Sequence, residues 1–330
     1  MDLLAGAPAR LPLAHLPTPL WHSDALDAFV GTEVWVKRDD MTGGADAGNK
    51  LRKLEYLLAE AKLRGANVVL TCGGEQSNHA RATAIAAREQ GMRSVLFLRR
   101  SSKKPPPVVA NVFLDRLVGA EINFISGEQY ADRDALMAAV AESLEAGGDR
   151  PYIVPEGGSN GLGTLGYIEC MAETRRQLDA GFANGPEPFD TIVSACGSGG
   201  TSAGLGLGAA AFNVAPRVDA MAVLSTREDF EARIAALQTD ARKLLPGLED
   251  SAEIVVHDAY KGPAYAVPSE EQLGFIIELA RRTGLVLDPV YTGKAMFGLA
   301  RMPDKSKRVL FIHTGGLPGL LAETARFGSL

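Results

Sequence analysis

The chain lacks the features that would mark it for export, for a membrane or for nucleic acid. It has three cysteines in 330 residues, Cys72, Cys170 and Cys196. They are odd in number, far apart and without metal-ligand spacing. That excludes a disulfide framework and a cysteine metal site, and fits reduced thiols in a cytoplasmic protein. No apolar run reaches the length that a bilayer-crossing helix needs. Met1-Asp2-Leu3-Leu4 does not join a basic region to an apolar one, so no signal peptide is expected. The net charge of -6 is spread over both signs with no long basic run, which argues against a nucleic-acid groove. Internal repeats, coiled coil and low-complexity tracts are missing too. What remains is a chain 46% hydrophobic, long enough for two domains or one large one.

Short apolar runs alternate with amphipathic ones. Strands are expected at Val34–Lys37, Asn67–Cys72, Ser94–Leu98, Glu121–Ile125, Tyr152–Val154, Asp190–Ala195, Val218–Leu224 and Arg308–His313. Helical periodicity marks Ser77–Gln90, Ala131–Ala146, Thr201–Ala211 and Glu270–Thr283, the last opened by a capping box at Ser269 and Gln272. Nearly continuous apolar strands joined through helices predict α/β architecture, with parallel sheets covered on both faces. Arg99–Pro107 and Asn184–Pro188 read as surface loops.

In such sheets ligands bind at the carboxyl ends of strands. Three glycine loops fall there: Gly73-Gly74-Glu75-Gln76-Ser77-Asn78-His79, Cys196-Gly197-Ser198-Gly199-Gly200-Thr201 and Thr314-Gly315-Gly316. The second offers backbone N–H groups and two hydroxyls at a helix start, the chemistry of an anion cradle. It is no P-loop, since no Gly-Lys-Ser/Thr follows. Ser202 spoils a dinucleotide fingerprint, although Asp219 lies at a plausible distance for a ribose contact. A fourth glycine-rich run (Gly43, Gly44, Gly48) leads into Asn49-Lys50 and an apolar stripe of Leu51, Leu54, Leu57, Leu58 and Ala61. A lysine at the positive end of a helix dipole should have a lowered pKa and can serve as a nucleophile. Taken alone, it would more simply be a solvated first-turn residue.

Several segments occur in a recognisable order: Leu16-Pro17-Thr18-Pro19-Leu20, Val36-Lys37-Arg38-Asp39-Asp40, Gly48-Asn49-Lys50-Leu51-Arg52-Lys53-Leu54-Glu55, Gln76-Ser77-Asn78-His79, Glu156-Gly157-Gly158-Ser159-Asn160, Gly197–Thr201, Leu287-Asp288-Pro289-Val290-Tyr291-Thr292-Gly293-Lys294 and His313-Thr314-Gly315-Gly316. Together they resemble the fold-type II pyridoxal-phosphate enzymes, specifically the D-cysteine desulfhydrase and 1-aminocyclopropane-1-carboxylate deaminase group. The resemblance implies two open, twisted parallel-sheet domains, tryptophan-synthase-beta-like. A small domain, 51–160, would be inserted into a large one made of 1–50 and 161–330, with pyridoxal 5'-phosphate in the cleft between.

The resemblance also implies roles. Lys50 looks like the lysine that carries the cofactor, with Lys53 the competing candidate and nearer the phosphate. Cys196, Gly197, Ser198, Gly199, Gly200 and Thr201 resemble the phosphate cup. Asn78 resembles the partner of the cofactor's phenolic oxygen, and Thr314 that of the pyridine nitrogen. Ser77, with Asn78 and His79 beside it, resembles the substrate-carboxylate contact. Tyr265 and Tyr291 resemble two active-site tyrosines, although either could be a core tyrosine. His313 reads as a strand-end residue. No metal is expected, the partner is a small amino acid, and the family implies a homodimer.

On substrate, the deaminase branch has a glutamate after the second tyrosine and a leucine by the pyridine nitrogen. Here Thr292 and Thr314 stand there, which points to D-cysteine and makes Thr292 a substrate-side candidate. Glu75 is a departure beside the site, and an L-cysteate sulfo-lyase on the same scaffold stays open. Alternatives of other classes are a nucleotide-binding dehydrogenase using Asp219 and a non-catalytic binding protein.

Overall fold

The computed structural model describes residues 3–102, 104 and 106–328. Met1 and Asp2 of the expected N-terminus, and Lys103 and Pro105 of the Arg99–Pro107 loop, lie outside the described residues. Ten strands are present among the described residues: β1 (Leu20–His22), β2 (Glu33–Lys37), β3 (Val68–Gly74), β4 (Arg93–Arg99), β5 (Glu121–Ile125), β6 (Pro151–Ile153), β7 (Thr191–Cys196), β8 (Arg217–Ala222), β9 (Glu253–His257) and β10 (Arg308–Ile312). They form a six-stranded sheet in the order β1-β2-β10-β7-β8-β9 and a four-stranded sheet in the order β5-β4-β3-β6.

All eight expected strands are present, Glu121–Ile125 with the expected bounds and the others with ends shifted by at most two residues. Two more were not anticipated, both at edges of the larger sheet. β1 is three residues long, follows Pro17 and Pro19, and pairs antiparallel to β2. β9 pairs parallel to β8. Short edge strands carry little of the continuous apolar signal that reveals a central strand. Every other pairing is parallel.

The four-stranded sheet is made wholly of residues 68–153, whereas the larger sheet joins residues 20–37 to 191–312. Parallel order puts the carboxyl ends of the neighbours β7 and β10 on one side of the larger sheet, and the glycine loops at those ends meet the loop after β3 of the smaller sheet around one cavity. The helix Lys50–Leu63 runs beneath them. Its apolar stripe packs on Val69, Ala82, Ala86 and Tyr152. Its other face is buried as well, since Arg52, Lys53 and Glu55 are each no more than 2% exposed. The helix is therefore central rather than amphipathic, and its polar face is taken up by ion pairs of Arg52 and Glu55 and by hydrogen bonds of Lys53 instead of water. The capping box at Ser269 and Gln272 opens the helix Glu270–Thr283 as expected. No helix among the described residues is long and apolar enough to cross a membrane.

Candidate active site

Lys50 is the first residue of its helix, and Asn49 is the N-cap. The run before it is held by backbone contacts. Thr42 Oγ1 accepts from Gly48 N at 2.8 Å, and Asn49 N donates to Thr314 O at 3.0 Å. Gly48 has a φ of +132°, and a Cβ there would stand 3.1 Å from Thr314 O. Only glycine meets both demands. The first glycine run and the loop after β10 are thus locked together, with Lys50 and Thr314 on the same cavity wall.

A cavity of about 70 Å³ lies where the loops of the two sheets meet. Its lining brings together Lys50, Ser77, Asn78, His79, Cys196, Gly197, Ser198, Gly199, Thr201, Tyr265, Tyr291 and Thr314. These come from six separate stretches of the chain, around Lys50, Ser77–His79, Cys196–Thr201, Tyr265, Tyr291 and Thr314. Lys50 Nζ donates to Asn49 Oδ1 at 2.9 Å, and Asn49 Nδ2 donates to Thr201 Oγ1 at 3.2 Å. Asn49 therefore links the lysine to the glycine cup. It is a site residue that sequence reasoning passed over, although it stands inside the Gly48-Asn49-Lys50 segment. Burial lowers the Lys50 pKa to about 8, with the charge of Arg81 adding to the effect. Burial, more than the helix dipole, produces the expected shift.

Ser77 is the N-cap of the helix Asn78–Glu89, and its Oγ accepts from Ala80 N at 3.1 Å. Its hydroxyl proton stays available to the cavity. Asn78 Oδ1 accepts from Asn111 Nδ2 at 3.0 Å, which orients the Asn78 amide so that its NH2 is the remaining donor. His79 Nε2 pairs with Thr71 Oγ1 at 2.9 Å, while its buried Nδ1 has no partner. Burial, then Lys50 and Lys53, push the His79 pKa well below the usual value, so the ring is neutral.

The cup is the start of the helix Gly200–Ala211, where first-turn N–H groups have no intrahelical acceptor. Gly199 has a φ of +89°, and a Cβ there would face Leu237 and Ile234, not the cavity. Its requirement for glycine is conformational. Gly200 and Lys53 lie behind the lining. Lys53 Nζ donates to Gly157 O at 3.2 Å and Ser159 Oγ at 3.1 Å, and Ser159 Oγ meets Ser198 Oγ at 2.7 Å. Burial followed by the charge of Lys50 drives the Lys53 pKa well below the usual value.

At the other side, Tyr265 and Tyr291 share a hydrogen bond of 2.7 Å between their hydroxyls. Burial raises the pKa of both, that of Tyr291 well above the usual value, so both are proton donors at neutral pH. Thr292, expected on the substrate side, is not in the lining. Its hydroxyl and N–H reach Asp288 at 2.7 Å and 2.8 Å, and the same carboxylate takes the N–H groups of Val290 and Tyr291 at 2.9 Å each. Thr292 tightens the turn that presents Tyr291. Glu75 is likewise turned away, accepting from Ser101 N and Oγ at 2.9 Å and 2.8 Å. Asp219 does not reach the cavity. It is 1% exposed and engaged by Arg217, Thr191 and His257, which removes the basis of the nucleotide reading. His313 donates from Nε2 to Val286 O at 3.1 Å and accepts Gly315 N on Nδ1, a strand-end role.

Beneath the site lies a polar cluster whose segments stood out in the sequence without an assigned purpose. Arg52 donates to Asp39 Oδ1 and Oδ2 at 2.8 Å each and to Glu173 Oε2 at 3.0 Å. Lys37 pairs with Glu173, and Tyr167 donates to Asp39 at 2.7 Å. Two cations meet two anions, and the cluster roots the helix that carries Lys50.

The cavity itself has the opposite balance. Lys50 and Lys53 face it or back it with lowered pKa values. The one carboxylate in its lining among the described residues, Glu156, is held by Tyr130 and Arg133. Unmatched amines opposite a helix-start cup fit a phosphorylated aldehyde: the phosphate neutralises the charge, and an amine near pH 8 can condense with the carbonyl. The family of pyridoxal-phosphate dependent enzymes matches this chain over residues 11–315, and the chain belongs to it. Its cofactor is pyridoxal 5'-phosphate, and its class is that of a pyridoxal-phosphate-dependent lyase. Within that class the chain is 44% identical over 335 residues to the mitochondrial bifunctional D-cysteine desulfhydrase/1-aminocyclopropane-1-carboxylate deaminase of Arabidopsis thaliana, covering 96% of this chain and 80% of that one. It is 39% identical to the D-cysteine desulfhydrase of Yersinia enterocolitica over 95% of both chains. A crystal structure described as an ACC deaminase homologue superimposes with a TM-score of 0.88 at 36% identity, covering 98% of this chain and 97% of that one.

Proposed function

We propose that the protein catalyses α,β-elimination from D-cysteine, which with one water gives pyruvate, ammonia and hydrogen sulfide. The observation that carries this reading is Thr314, a neutral hydroxyl on the wall beside Lys50, in a cavity with no free carboxylate among the described residues. Bound pyridoxal phosphate supplies the electron sink for carbanion chemistry. The first-turn N–H groups of the Gly197–Thr201 cup, with Ser198 and Lys53, would hold the phosphate. Asn78 would offer its NH2 to the phenolic oxygen, and Thr314 its hydroxyl to the pyridine nitrogen. Ser77 Oγ–H, with neighbouring N–H groups, binds the substrate carboxylate and fixes the Cα–H bond toward Lys50. Lys50 Nζ, unprotonated in part near its pKa of about 8, takes the Cα proton. The Tyr265–Tyr291 pair donates a proton to the departing sulfur. Thiolate needs little help to leave, since the pKa of free cysteine is about 8.5.

Ring opening of 1-aminocyclopropane-1-carboxylate is the second reading, favoured by the bifunctional name of the Arabidopsis relative. A ring carbon is a poorer leaving group and asks for an acid that the neutral lining offers only through the tyrosines. Steady-state kinetics on D-cysteine, L-cysteine, L-cysteate and the cyclopropane acid separate these readings. The highest kcat/KM is expected on D-cysteine. A higher value on the cyclopropane acid overturns the substrate assignment, and one on L-cysteate replaces thiol by sulfonate. The reading includes a homodimer and a cytoplasmic setting, the latter supported by three cysteines that are all free and buried. Sedimentation at micromolar concentration tests the dimer.

A further inference from the structure

Arg81 lies one helical turn beyond Asn78 on the helix Asn78–Glu89 and is 1% exposed, yet it forms no ion pair among the described residues. Its guanidinium donates from Nη1 to Ala45 O and from Nη2 to Ala47 O, the latter at 2.9 Å, while its Nε has no partner. Those carbonyls belong to the run that leads into Lys50. Across from it, the helix Ala110–Leu117 turns two residues of one face toward the Arg81 helix. Asn111 bonds Asn78, and Asp115, four residues on, interacts with the Arg81 charge. Asp115 is fully buried, and neither of its carboxylate oxygens has a hydrogen-bond partner. A buried arginine spent on two backbone carbonyls, with a carboxylate held near it but not bonded to it, is costly unless the charge is used.

We propose that Arg81 is the positioning residue for Lys50: it clamps the Ala45–Ala47 run that aims the lysine and places a fixed positive charge behind the amine, with Asp115 moderating that charge. The inference rests on Lys50 as the cofactor-bearing lysine. The charge of Arg81 is the cause, after burial, of the lowered Lys50 pKa. The groups facing this pair are Lys53 on the Lys50 helix, His79 on the Arg81 helix, Asp46 in the clamped run and Asp115 opposite. Burial and Lys50 keep His79 neutral, so Arg81 supplies the lasting charge.

The test is the pH dependence of cofactor uptake by the full-length protein after its cofactor has been removed, followed by the visible band of recombination with pyridoxal phosphate. In the wild type the rate should rise with a midpoint near pH 8. Arg81→Met should move the midpoint up by about one unit, a tenfold loss of unprotonated amine at neutral pH, and loosen the cofactor. Arg81→Lys keeps the charge without the double grip. It should keep the midpoint and lose affinity by roughly tenfold, equivalent to about one hydrogen bond. Asp115→Asn leaves the clamp intact and should lower the midpoint. A purely structural arginine would loosen the cofactor in both Arg81 variants with no movement of any midpoint. That result, or an Asp115→Asn midpoint unchanged where Arg81→Met fails to fold, overturns the proposal. Borohydride reduction and peptide mass spectrometry of each variant keep the two ideas apart. An adduct on another lysine defeats the Lys50 reading, whereas an adduct on Lys50 with unmoved midpoints defeats only the role of Arg81.

Discussion

Two buried polar regions lie a single helical turn apart, and they are built on opposite terms. In the cluster of Lys37, Asp39, Arg52 and Glu173, every charge has a counter-charge and nearly every lone pair a donor. Its carboxylates are held below their ordinary pKa by Arg52 and Lys37 against the cost of burial. In the cavity above, Lys50, Lys53 and His79 are buried beside Arg81, and none of the four is ion-paired to a carboxylate among the described residues; burial has lowered the pKa of all four. The first arrangement is complete without a ligand and serves as an anchor. The second is completed by an anion. Alternation along one helix makes the difference: Arg52 faces the helix Gly161–Asp179, while Lys50 and Lys53 face the cup.

The comparison predicts how each region breaks. Lys50→Ala should lower elimination by at least 10²–10⁴-fold, the range for a lost acid–base group, with the fold retained by circular dichroism. Glu173→Ala removes one partner from the saturated cluster and leaves cations buried, which should cost about 3–5 kcal/mol in denaturant unfolding. Lys53→Met is the contrasting change. It removes an unmatched buried cation, so the protein freed of cofactor should be as stable as the wild type or more so, while its affinity for pyridoxal phosphate falls. If Lys53→Met destabilises as much as Glu173→Ala, the two regions are not of different kinds.

Asp115 sharpens the contrast by pH. Burial raises its pKa to about 7 against 3.8 in the unfolded chain, with Arg81 opposing. A carboxyl raised on folding binds more protons in the native state across that window. Its contribution is therefore present at low pH and lost as pH rises from about 4 to 7. Asp115→Asn should flatten that part of the stability–pH curve measured by thermal unfolding. Smallest of all, Thr292→Ala removes the two buried hydrogen bonds its hydroxyl makes with Asp288, one to the carboxylate and one from the backbone N–H. It should cost about 2 kcal/mol and leave the ranking of substrates unchanged; a changed ranking would restore Thr292 to the substrate side.

Much of this was legible in the chain. The alternation of apolar strands and helical segments located eight strands, and the glycine loops fell at the carboxyl ends of their strands. Lys50, Ser77, Asn78, the Gly197–Thr201 loop, Tyr265, Tyr291 and Thr314 meet in one cavity because motif and topology agree there. Three-dimensional pairing was not legible. Asp219 lay at a suggestive spacing, yet Arg217 and His257 consume its carboxylate. Thr292 follows a site tyrosine in sequence but points to Asp288, because the first turn of a helix needs its N–H groups satisfied. Arg81 had no motif, since its partners are backbone carbonyls that any sequence supplies.

The account rests on one amine. Reducing the protein carrying its cofactor with borohydride and mapping the pyridoxyl group by peptide mass spectrometry tests it most directly. The adduct is expected on Lys50, with Lys53 unmodified; an adduct on Lys53, or on any lysine outside the cavity, would contradict the assignment of roles along this helix.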